Sequence, residues 1–492
     1  MAISADEHEA LAAQLAERDA QLAERDAQLA ECEAQIAELK EQLATALQAI
    51  ATLTQQQKRN STNSHLPPSS DGPGATARGV RKSKKKKSKR KRGGQKGRRG
   101  AHRQLLPVEQ VHEFVDLFPA ACEGCARPLP RAADIDARRY QRLELLLAGV
   151  QVTEWRRHAV TCTCGHETRA PYDADEIPAS PFGPRLVSVV ATLTGAYHLS
   201  RRRAQLLLRE LFGIEISLGA ISQMEARMSK SLVSAVEEAR ADVVSANVKH
   251  TDATSWLLAG VTMSMWVLST QLTSYFRIFK DGCRATIEST FKDDEGRFVG
   301  ILNSDRASVF GFWVMALRQI CWAHLLRKFV SFSERDGPVG RFGRELLDHA
   351  RIVFDYWRGF CDGELTRAGL QNWMDQPRRR FEALLERAAA CGLEGLSGSC
   401  ADMLVHREAL WTFVDVEGVE PTNNLAERDL RELVIWRKRC FGSQSLRGLR
   451  FVERVMTVVQ TLRKRGRGVL DYLERTVAAS FVGAPVPSLL GA

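Results

Sequence analysis

A repeat of seven residues restricts the fold of the N-terminal part of the chain more than any other sequence feature. It covers the first 55 or so residues and is most visible in AERDAQLAERDAQLAE. One heptad position is aliphatic at Leu15, Leu22, Leu29, Ile36, Leu43 and Ile50. The position four residues earlier holds Leu11, Arg18, Arg25, Cys32, Leu39, Ala46 and Leu53. This pattern predicts a coiled coil over residues 1–58 that joins copies of the chain. A single solvated helix is the alternative, and the strict register of the aliphatic residues disfavours it.

Residues 59–103 consist mainly of Asn, Ser, Pro, Gly and Lys, as in HLPPSSDGPG and KSKKKKSKRKRGGQKGRRG. Between Arg81 and Arg103 there are 14 Lys or Arg residues and no acid. Such a segment buries too little apolar area to offset its ordering entropy, so we expect a disordered basic linker. It would bind phosphates without reading bases, although a purely solubilising linker is the alternative. The candidate phosphate-binding residues here are Lys84, Lys85, Lys86, Lys87, Lys89, Arg90, Lys91 and Arg92.

Length and composition set the broad class. At 492 residues the chain is too long for one hydrophobic core, so several domains are expected. The net charge of +11 favours a polyanionic partner. No apolar run approaches the roughly 20 residues of a membrane helix, and no signal peptide is visible, so a cytoplasmic protein is expected. Eleven cysteines in such a chain indicate metal ligands and buried thiols rather than disulfides.

Two close pairs of cysteines mark a small module at 104–178. Cys122 and Cys125 form a Cys-x-x-Cys pair, and Cys162 and Cys164 form a Cys-x-Cys pair. Four thiolates in two pairs can complete a tetrahedral zinc site, with each pair on its own turn. His166 could replace a thiol of the second pair, because a one-residue gap is less usual. Four unrelated cysteines are the alternative.

Residues 179–243 have apolar residues at helical spacing, as in LVSVVATLTGAYHLSRRRAQLLLRELFGI. Gly213 predicts the end of one helix, and Ser217 predicts the start of the next. Two helices around a turn that contains glycine permit a helix-turn-helix that binds DNA. Any helical domain contains such turns, so a purely structural helical domain is the alternative.

The pattern changes to strands in the region 244–465. Candidate strands are VVSANVKHTD, MSMWVLST, TSYFRIF, RFVGILNSD and RQICWAH. The helix-like stretches CRATIESTF and ASVFGFWVMAL flank the fourth strand, and a long helical region follows from Leu325 to about Leu410. The sequence therefore predicts a multidomain α/β protein with a mixed sheet and a helical insertion at about 325–415.

Three acids at element boundaries form the candidate catalytic group. Asp252 is predicted to close the first strand, Asp305 to close the fourth, and Glu427 to lie in the first turn of a helix. Carboxylates at one sheet edge repel each other unless cations bind between them, and such oxygen ligands suit Mg²⁺ or Mn²⁺. Each acid has a structural alternative, namely a turn cap for Asp252, a helix N-cap for Asp305 and a capping box for Glu427.

The order of these segments and their sequence motifs resemble those of the insertion sequence 66 family of bacterial DDE transposases over nearly the whole chain. The resemblance is carried by CWAHLLRKF (321–329), NNLAERDLR (423–431), WRKRCFGS (436–443) and the ending RKRGRGVLDYLERTVAASFVGAPVPSLL. It implies a ribonuclease-H-like catalytic domain, with a C-terminal tail at 466–492. It also implies metal-dependent DNA cleavage and strand transfer by Asp252 in HTDAT, Asp305 in NSDRA and Glu427 in NLAER, with two Mg²⁺ or Mn²⁺ ions.

The resemblance further implies binding to the double-stranded ends of an insertion element and to target DNA, association with the nucleoid, and accessory proteins of the same element. Arg431, Arg437 and Lys438 are candidate phosphate-binding residues near Glu427, because they lie on or just after the same helix. His324 could orient a metal ligand or contact DNA, although a structural histidine is the alternative.

Three positions in two motifs depart from the family pattern. Ala253 stands where the first motif usually has Glu, and Arg306 and Ala307 stand where the second usually has Gly and Tyr. None of these changes removes a candidate metal ligand. A catalytically inactive copy that only binds DNA is therefore an alternative function, and a junction-resolving nuclease is another.

Overall fold

The computed structural model describes residues 5–57 and 180–491, together with short pieces between 105 and 169. The strands are β1 (Ala159–Thr161), β2 (Glu167–Arg169), β3 (Val248–Leu258), β4 (Val261–Ser269), β5 (Ser274–Phe279), β6 (Ile301–Ser304) and β7 (Arg318–Ile320). The helices are α1 (Ala5–Gln57), α2 (Pro184–Ala191), α3 (Arg201–Phe212), α4 (Leu218–Ser231), α5 (Val233–Ser245), α6 (Arg284–Phe291), α7 (Trp322–Ser333), α8 (Gly337–Cys361), α9 (Arg367–Ala390), α10 (Ser397–Val405), α11 (Thr412–Asp415), α12 (Asn424–Cys440), α13 (Leu446–Lys464) and α14 (Val469–Phe481).

None of the helices in the described part of the chain is both long enough and apolar enough to cross a membrane.

Two compact units can be distinguished. The first contains Arg240–Leu257 and Val261–Arg439, and the second contains residues 180–239, Leu258–Gly260 and residues 440–491.

The second unit is helical. Helix α2 packs against α4 and α14, and α4 packs against α13. Gly213 ends α3 with a φ of 65°, and the Ser217 hydroxyl accepts a hydrogen bond from the Ala220 amide at 3.1 Å at the start of α4. Both predicted helix boundaries are therefore confirmed.

Gly195 lets the backbone approach α13 closely, because a Cβ there would lie 2.6 Å from Val455 Cγ2.

The first unit is built on one five-stranded mixed sheet in the order β5-β4-β3-β6-β7. Strands β4 and β5 pair antiparallel, whereas β3 pairs parallel with β6 and β6 pairs parallel with β7. The central β6 is buried along its whole length, which fits a parallel strand covered on both faces. The predicted mixed α/β class with many helices is confirmed.

Three local predictions were wrong. Strand β3 continues for six residues beyond Asp252, because it forms a hairpin with β4. The segment ASVFGFWVMAL forms two short 3₁₀ turns instead of a helix, since Phe310 and Trp313 are buried whereas Val314 is 64% exposed. His324 does not end a strand but lies in the first turn of α7.

The helices α7 to α11 lie between β7 and α12 in the sequence and have an aromatic core. Trp322 is fully buried, and its ring centroid lies 5.0 Å from that of Phe381 and 5.2 Å from that of Trp411. Its indole Nε1 donates a hydrogen bond to the Leu410 carbonyl at 2.8 Å. Since Trp322 is the first residue of α7, this core fixes the start of the helix that carries His324.

Candidate active site

The register of the parallel strands brings Asp252 and Asp305 side by side. His250 on β3 pairs with Asn303 on β6, and the two acids lie two residues further along their respective chains. Because side chains along a strand alternate between faces with a period of two, both acids project to the same side. The parallel pairing therefore juxtaposes two acids that are separated by 52 intervening residues in the sequence.

Glu427 reaches the same place from α12. Its Oε2 accepts a hydrogen bond from Arg327 Nη2 at 3.3 Å, and its Oε1 lies 3.8 Å from His324 Nδ1. The predicted capping box paired Glu427 with Asn424, but the helix begins at Asn424, so the N-cap residue is Asn423 and a box would need the Asn423 amide to donate to Glu427. That amide donates instead to Cys321 Sγ at 3.1 Å. The capping explanation of Glu427 is therefore wrong.

Helix α12 is fixed to the sheet two residues after Glu427. The buried carboxylate of Asp429 accepts hydrogen bonds from the hydroxyls of Ser269 at 2.6 Å and Ser274 at 2.7 Å. One oxygen, Oδ2, receives both bonds, so the helix is tied to the end of β4 and the start of β5. The rings of Trp256 and Trp436, 6.1 Å apart edge to face, hold the other end of the helix against β3.

The pKa of Asp252 shows that the three carboxylates interact. Burial, which has the largest effect, and the charges of Glu427 and Asp305 raise this pKa above its ordinary value, to about 7 overall. The Ala253 amide, which donates to Asp252 Oδ1 at 2.8 Å, acts in the opposite direction, as does Arg327. Ala253 therefore holds Asp252 through its backbone amide, which any residue other than proline could do at that position.

Arg327 is the cation nearest to Glu427 among the described ion pairs. It lies one turn after His324 on α7, and its Nη1 is 3.4 Å from His324 Nε2. Its guanidinium is only about one-fifth exposed, as is the Glu427 side chain. A partly buried ion pair of this kind holds the carboxylate in a defined position and offsets part of the repulsion among the three acids.

Asn423 links the chain segments that carry these groups. Its side-chain Nδ2 donates to the Thr251 carbonyl at 2.6 Å, and its Oδ1 lies 3.2 Å from His250 Nδ1. Its backbone amide donates to Cys321 Sγ. The residue is 1% exposed. Asn423, the residue directly before α12, thus joins β3 beside Asp252 through its side chain and the start of α7 through its backbone amide.

Two arginines organise the loop of Asp305. The buried Arg318 on β7 donates from Nη2 to Ser304 Oγ at 3.1 Å and to the Asp305 carbonyl at 3.0 Å. Arg306 forms an ion pair with Asp402 on α10. The departure from the family pattern at Arg306 therefore places a cation whose partner is in the helical insertion. Asp305 Oδ1 accepts from the Ala307 amide at 3.0 Å, which shapes the same loop.

The basic residues predicted near Glu427 differ in their surroundings. Arg431 and Lys438 are exposed on α12. Arg437 is half-buried and donates to Thr254 Oγ1 at 3.3 Å and to both the backbone and the hydroxyl oxygen of Ser255. Arg437 therefore supports β3 directly after the Asp252 motif.

Part of the predicted site falls outside the described residues. This holds for the basic residues at 84–92, for Cys122 and Cys162, and for His166. Cys125 lies in a turn, and Cys164 lies in the turn between the antiparallel strands β1 and β2. Both are exposed free thiols.

Sequence reasoning missed three residues of the site, namely Arg327, Asn423 and Asp402. The signal for Arg327 was its spacing of three from His324 on one helix. Asn423 was part of a quoted motif, but only the fold shows that its side chain points to β3. Nothing in the sequence pairs Arg306 with Asp402, which is 96 residues away.

Comparison with known proteins identifies the family of this chain. A family model described as the transposase IS66 family matches residues 179–450, more than half of the chain. This match places the chain among the transposases. More specifically, the chain belongs to the IS66 family of transposases. A second model, for a family of unknown function, matches residues 19–104.

Curated relatives match only parts of the chain. An uncharacterized protein y4qI of Sinorhizobium fredii is 25% identical over 178 residues, which are 34% of this chain and 32% of that protein. An aspartate–tRNA ligase of Agathobacter rectalis is 30% identical over 89 residues, which are 17% of this chain and 14% of the ligase. The chain thus spans a third or less of the curated relatives it matches, and neither supports an argument about function.

The network of Asn423 predicts the effect of its substitution. Asn423→Ala leaves buried groups on β3 without their partner, at a cost of about 1–3 kcal/mol for each group, and shifts the carboxylates. We expect metal-dependent DNA cleavage to fall on the order of 10- to 100-fold, because misplacement by about 1 Å can cost that much. DNA affinity should be unchanged.

The matched control is Asn424→Ala, which removes the exposed neighbouring Asn of the same motif. Cleavage rates are measured over a range of Mn²⁺ concentrations, and melting temperatures verify folding. Equal losses in the two variants, or none in Asn423→Ala, would contradict the assigned role.

Proposed function

We propose that this transposase is a DDE-type enzyme that cuts and joins DNA with divalent ions held by Asp252, Asp305 and Glu427. The observation that supports this most is the convergence of the three carboxylates: the pKa of Asp252 is raised to about 7, mainly by burial and further by the charges of Glu427 and Asp305. Buried carboxylates that lie close together repel one another, and this repulsion favours bound cations. Their hard oxygen atoms are ligands that suit Mg²⁺ or Mn²⁺.

The residues present fit such ions. Glu427 Oε1 is buried and has no hydrogen-bond partner among the described residues. A buried acceptor without a donor normally has a function or an unseen ligand. Among the described residues, Asp252 Oδ1 accepts from the Ala253 amide and Asp305 Oδ1 from the Ala307 amide, which leaves their other oxygen positions to serve a metal.

The chemistry can be assigned to residues. The three carboxylates would hold divalent ions, which when bound would lower the pKa of an attacking water or 3′-hydroxyl and offset the charge on the leaving oxygen. Asp252, Asp305 and Glu427 hold the ions, Arg327 orients Glu427, and Arg318 fixes the backbone of Asp305. Arg431 and Lys438, exposed on α12, can contact backbone phosphates.

We further propose that the first unit has a ribonuclease-H-like fold. Strands β3, β4 and β5 follow one another as neighbours in the sheet, and β6 and β7 then add in parallel on the other side of β3. Asp252 lies on the first of these strands, and Asp305 directly follows the fourth. The helical insertion then separates β7 from the helix that carries Glu427.

The other modules are proposed to hold the ends of the element. Residues 179–243 contain α3 and α4, whose exposed residues include Arg202, Arg203 and Gln223. Such a helix pair can contact DNA as a helix-turn-helix. The cysteines at 122, 125, 162 and 164 would bind structural Zn²⁺. The basic residues 84–92 would add salt-dependent phosphate binding, and hence association with the nucleoid.

Cleavage of a terminal repeat tests the proposal. Purified protein is incubated with a labelled duplex that contains the end of the source element, with Mg²⁺, with Mn²⁺ or with chelator. We expect metal-dependent nicking at the element boundary. Glu427→Gln should reduce it at least about 100-fold, because a lost ligand to a catalytic ion costs several kcal/mol of transition-state stabilisation.

Glu417→Gln is the matched control, since it removes the same charge from an exposed residue in the first unit. Nicking that persists in Glu427→Gln would refute the assigned role. Specific binding without nicking by the wild type, even with the accessory proteins of the element, would favour a DNA-binding protein without catalysis. Cleavage of junctions without strand transfer would favour a resolving nuclease.

We also propose that α1 pairs with α1 of a second copy as a coiled coil. It is a single helix of 53 residues. The heptad residues Leu22, Leu29, Ile36, Leu43 and Ile50 are each between 51% and 60% exposed. Such a regular apolar seam exposed to water favours association, and an identical helix matches its spacing at every turn.

Oxidation of Cys32 tests this pairing. Cys32 is exposed, belongs to the seam and lies near the middle of α1, so two fully overlapped helices bring their Cys32 residues to the same level in either orientation. We expect disulfide-linked dimers on non-reducing gels after mild oxidation. In the control, Cys32→Ser with Ala34→Cys, the thiol lies on the outer face. Equal cross-linking of both proteins would contradict the proposal.

A further inference from the structure

A second group of metal ligands, of a different chemical type, shares Glu427 with the carboxylate cluster. It consists of Cys321, His324 and Glu427, whose ligand atoms all lie within 4.8 Å of one another. Cys321 is fully buried, and His324 and Glu427 are half-buried. A thiol, an imidazole and a carboxylate are together the ligands of zinc sites rather than of magnesium sites.

We propose that Cys321, His324 and Glu427 form an inhibitory site for Zn²⁺. An ion bound there takes Glu427 away from Asp252 and Asp305, so the catalytic ions lose a ligand. Zn²⁺ outcompetes Mg²⁺ and Mn²⁺ for nitrogen and sulfur ligands, so low concentrations would suffice. The inhibitory consequence rests on the proposed function, whereas the binding of Zn²⁺ does not.

The fold positions the three ligand residues close together before an ion binds. Cys321 is the N-cap residue of α7, and His324 follows at a spacing of three, which brings both side chains to one side of the first turn. The Cys321 amide donates to the Ser304 carbonyl at 2.9 Å, and this bond fixes the cap against β6. Glu427 then enters from α12, with its Oε1 3.8 Å from His324 Nδ1.

Binding requires only small changes. A tetrahedral ion with bonds of about 2.0–2.3 Å needs ligand atoms roughly 3.3–3.8 Å apart, so the three ligands must close by about 1 Å or less. Ligation through His324 Nδ1 puts the ring proton on Nε2, and the 3.4 Å contact with Arg327 is then lost. The Cys321 thiol gives up its proton to solvent as the zinc–sulfur bond forms.

Cobalt is the probe for this site, because a cysteine thiolate bound to Co²⁺ gives a charge-transfer band in the near ultraviolet. The full-length protein is titrated with Co²⁺ as wild type, Cys321→Ser and Cys400→Ser. Cys400 is the matched control, a buried cysteine on α10. We expect Cys321→Ser to bind one equivalent fewer than the other two proteins, whatever the cysteine pairs near residues 122 and 162 bind. Equal titrations of all three would overturn the site.

Inhibition is measured on the same proteins. Zn²⁺ is added to the nicking reaction in Mg²⁺, and the half-inhibitory concentration should rise at least about 10-fold in Cys321→Ser relative to Cys400→Ser, since one thiolate ligand is lost. Equal inhibition of both variants would overturn the regulatory consequence. Absence of nicking in every protein, with the cobalt difference intact, would count against the proposed function alone.

A second substitution covers a folding failure of Cys321→Ser, which melting curves would reveal. His324→Gln removes the imidazole ligand and leaves the thiol in place. We expect it to keep the cobalt–thiolate band but to weaken Co²⁺ binding at least about 10-fold. Unchanged Co²⁺ affinity in His324→Gln would exclude His324 as a ligand and overturn the site as proposed.

Discussion

The hydrogen bonds of Asn423 are the interaction on which the rest of the site depends. The three carboxylates come from β3, from the loop after β6 and from α12, and no covalent or sequential constraint holds these segments together. The buried Asn423 side chain bonds to β3, and its amide bonds to the cap of α7. Because these groups are buried, the loss of a hydrogen-bond partner costs more folding free energy than the bond itself contributes. The positions of the segments joined by Asn423 are therefore strongly specified.

A different set of contacts holds Asp305 in position. Asn303 on β6 donates to the carbonyls of Glu420 and Thr422 at 2.8 and 3.1 Å, so β6 is tied to the segment that leads into α12. Arg318 holds the Asp305 backbone, and the Arg306–Asp402 ion pair connects the same loop to the helical insertion. The insertion therefore contributes to the position of Asp305, although it supplies none of the three carboxylates.

Much of the fold could be predicted from local patterns. Alternating apolar residues located β4 and β5, and a glycine and a serine located the boundary between α3 and α4, because turn and cap chemistry is local. The same reasoning failed at β3 and at the segment 307–317. Strand β3 extends beyond its predicted end because it pairs with β4. The segment 307–317 does not form the predicted helix, and its buried residues include Phe310 and Trp313.

The candidate acids could be selected from sequence, but their supports could not. Asp252, Asp305 and Glu427 lie in recognisable motifs at element boundaries. The contact between Asn423 and Thr251, and the ion pair between Arg306 and Asp402, join residues more than 90 positions apart. Such pairs follow from strand register and helix packing, which a single sequence does not reveal.

In the proposed function, the fold gathers Asp252, Asp305 and Glu427 around divalent cations. Fe²⁺ in place of Mg²⁺, with ascorbate and peroxide, cuts the backbone only close to the bound ion and so maps the site directly. We predict cleavage near all three residues in the wild type, reduced together in Asp252→Asn and suppressed by excess Mg²⁺. Cleavage confined to one of the three segments, or unaffected by Asp252→Asn, would contradict the account.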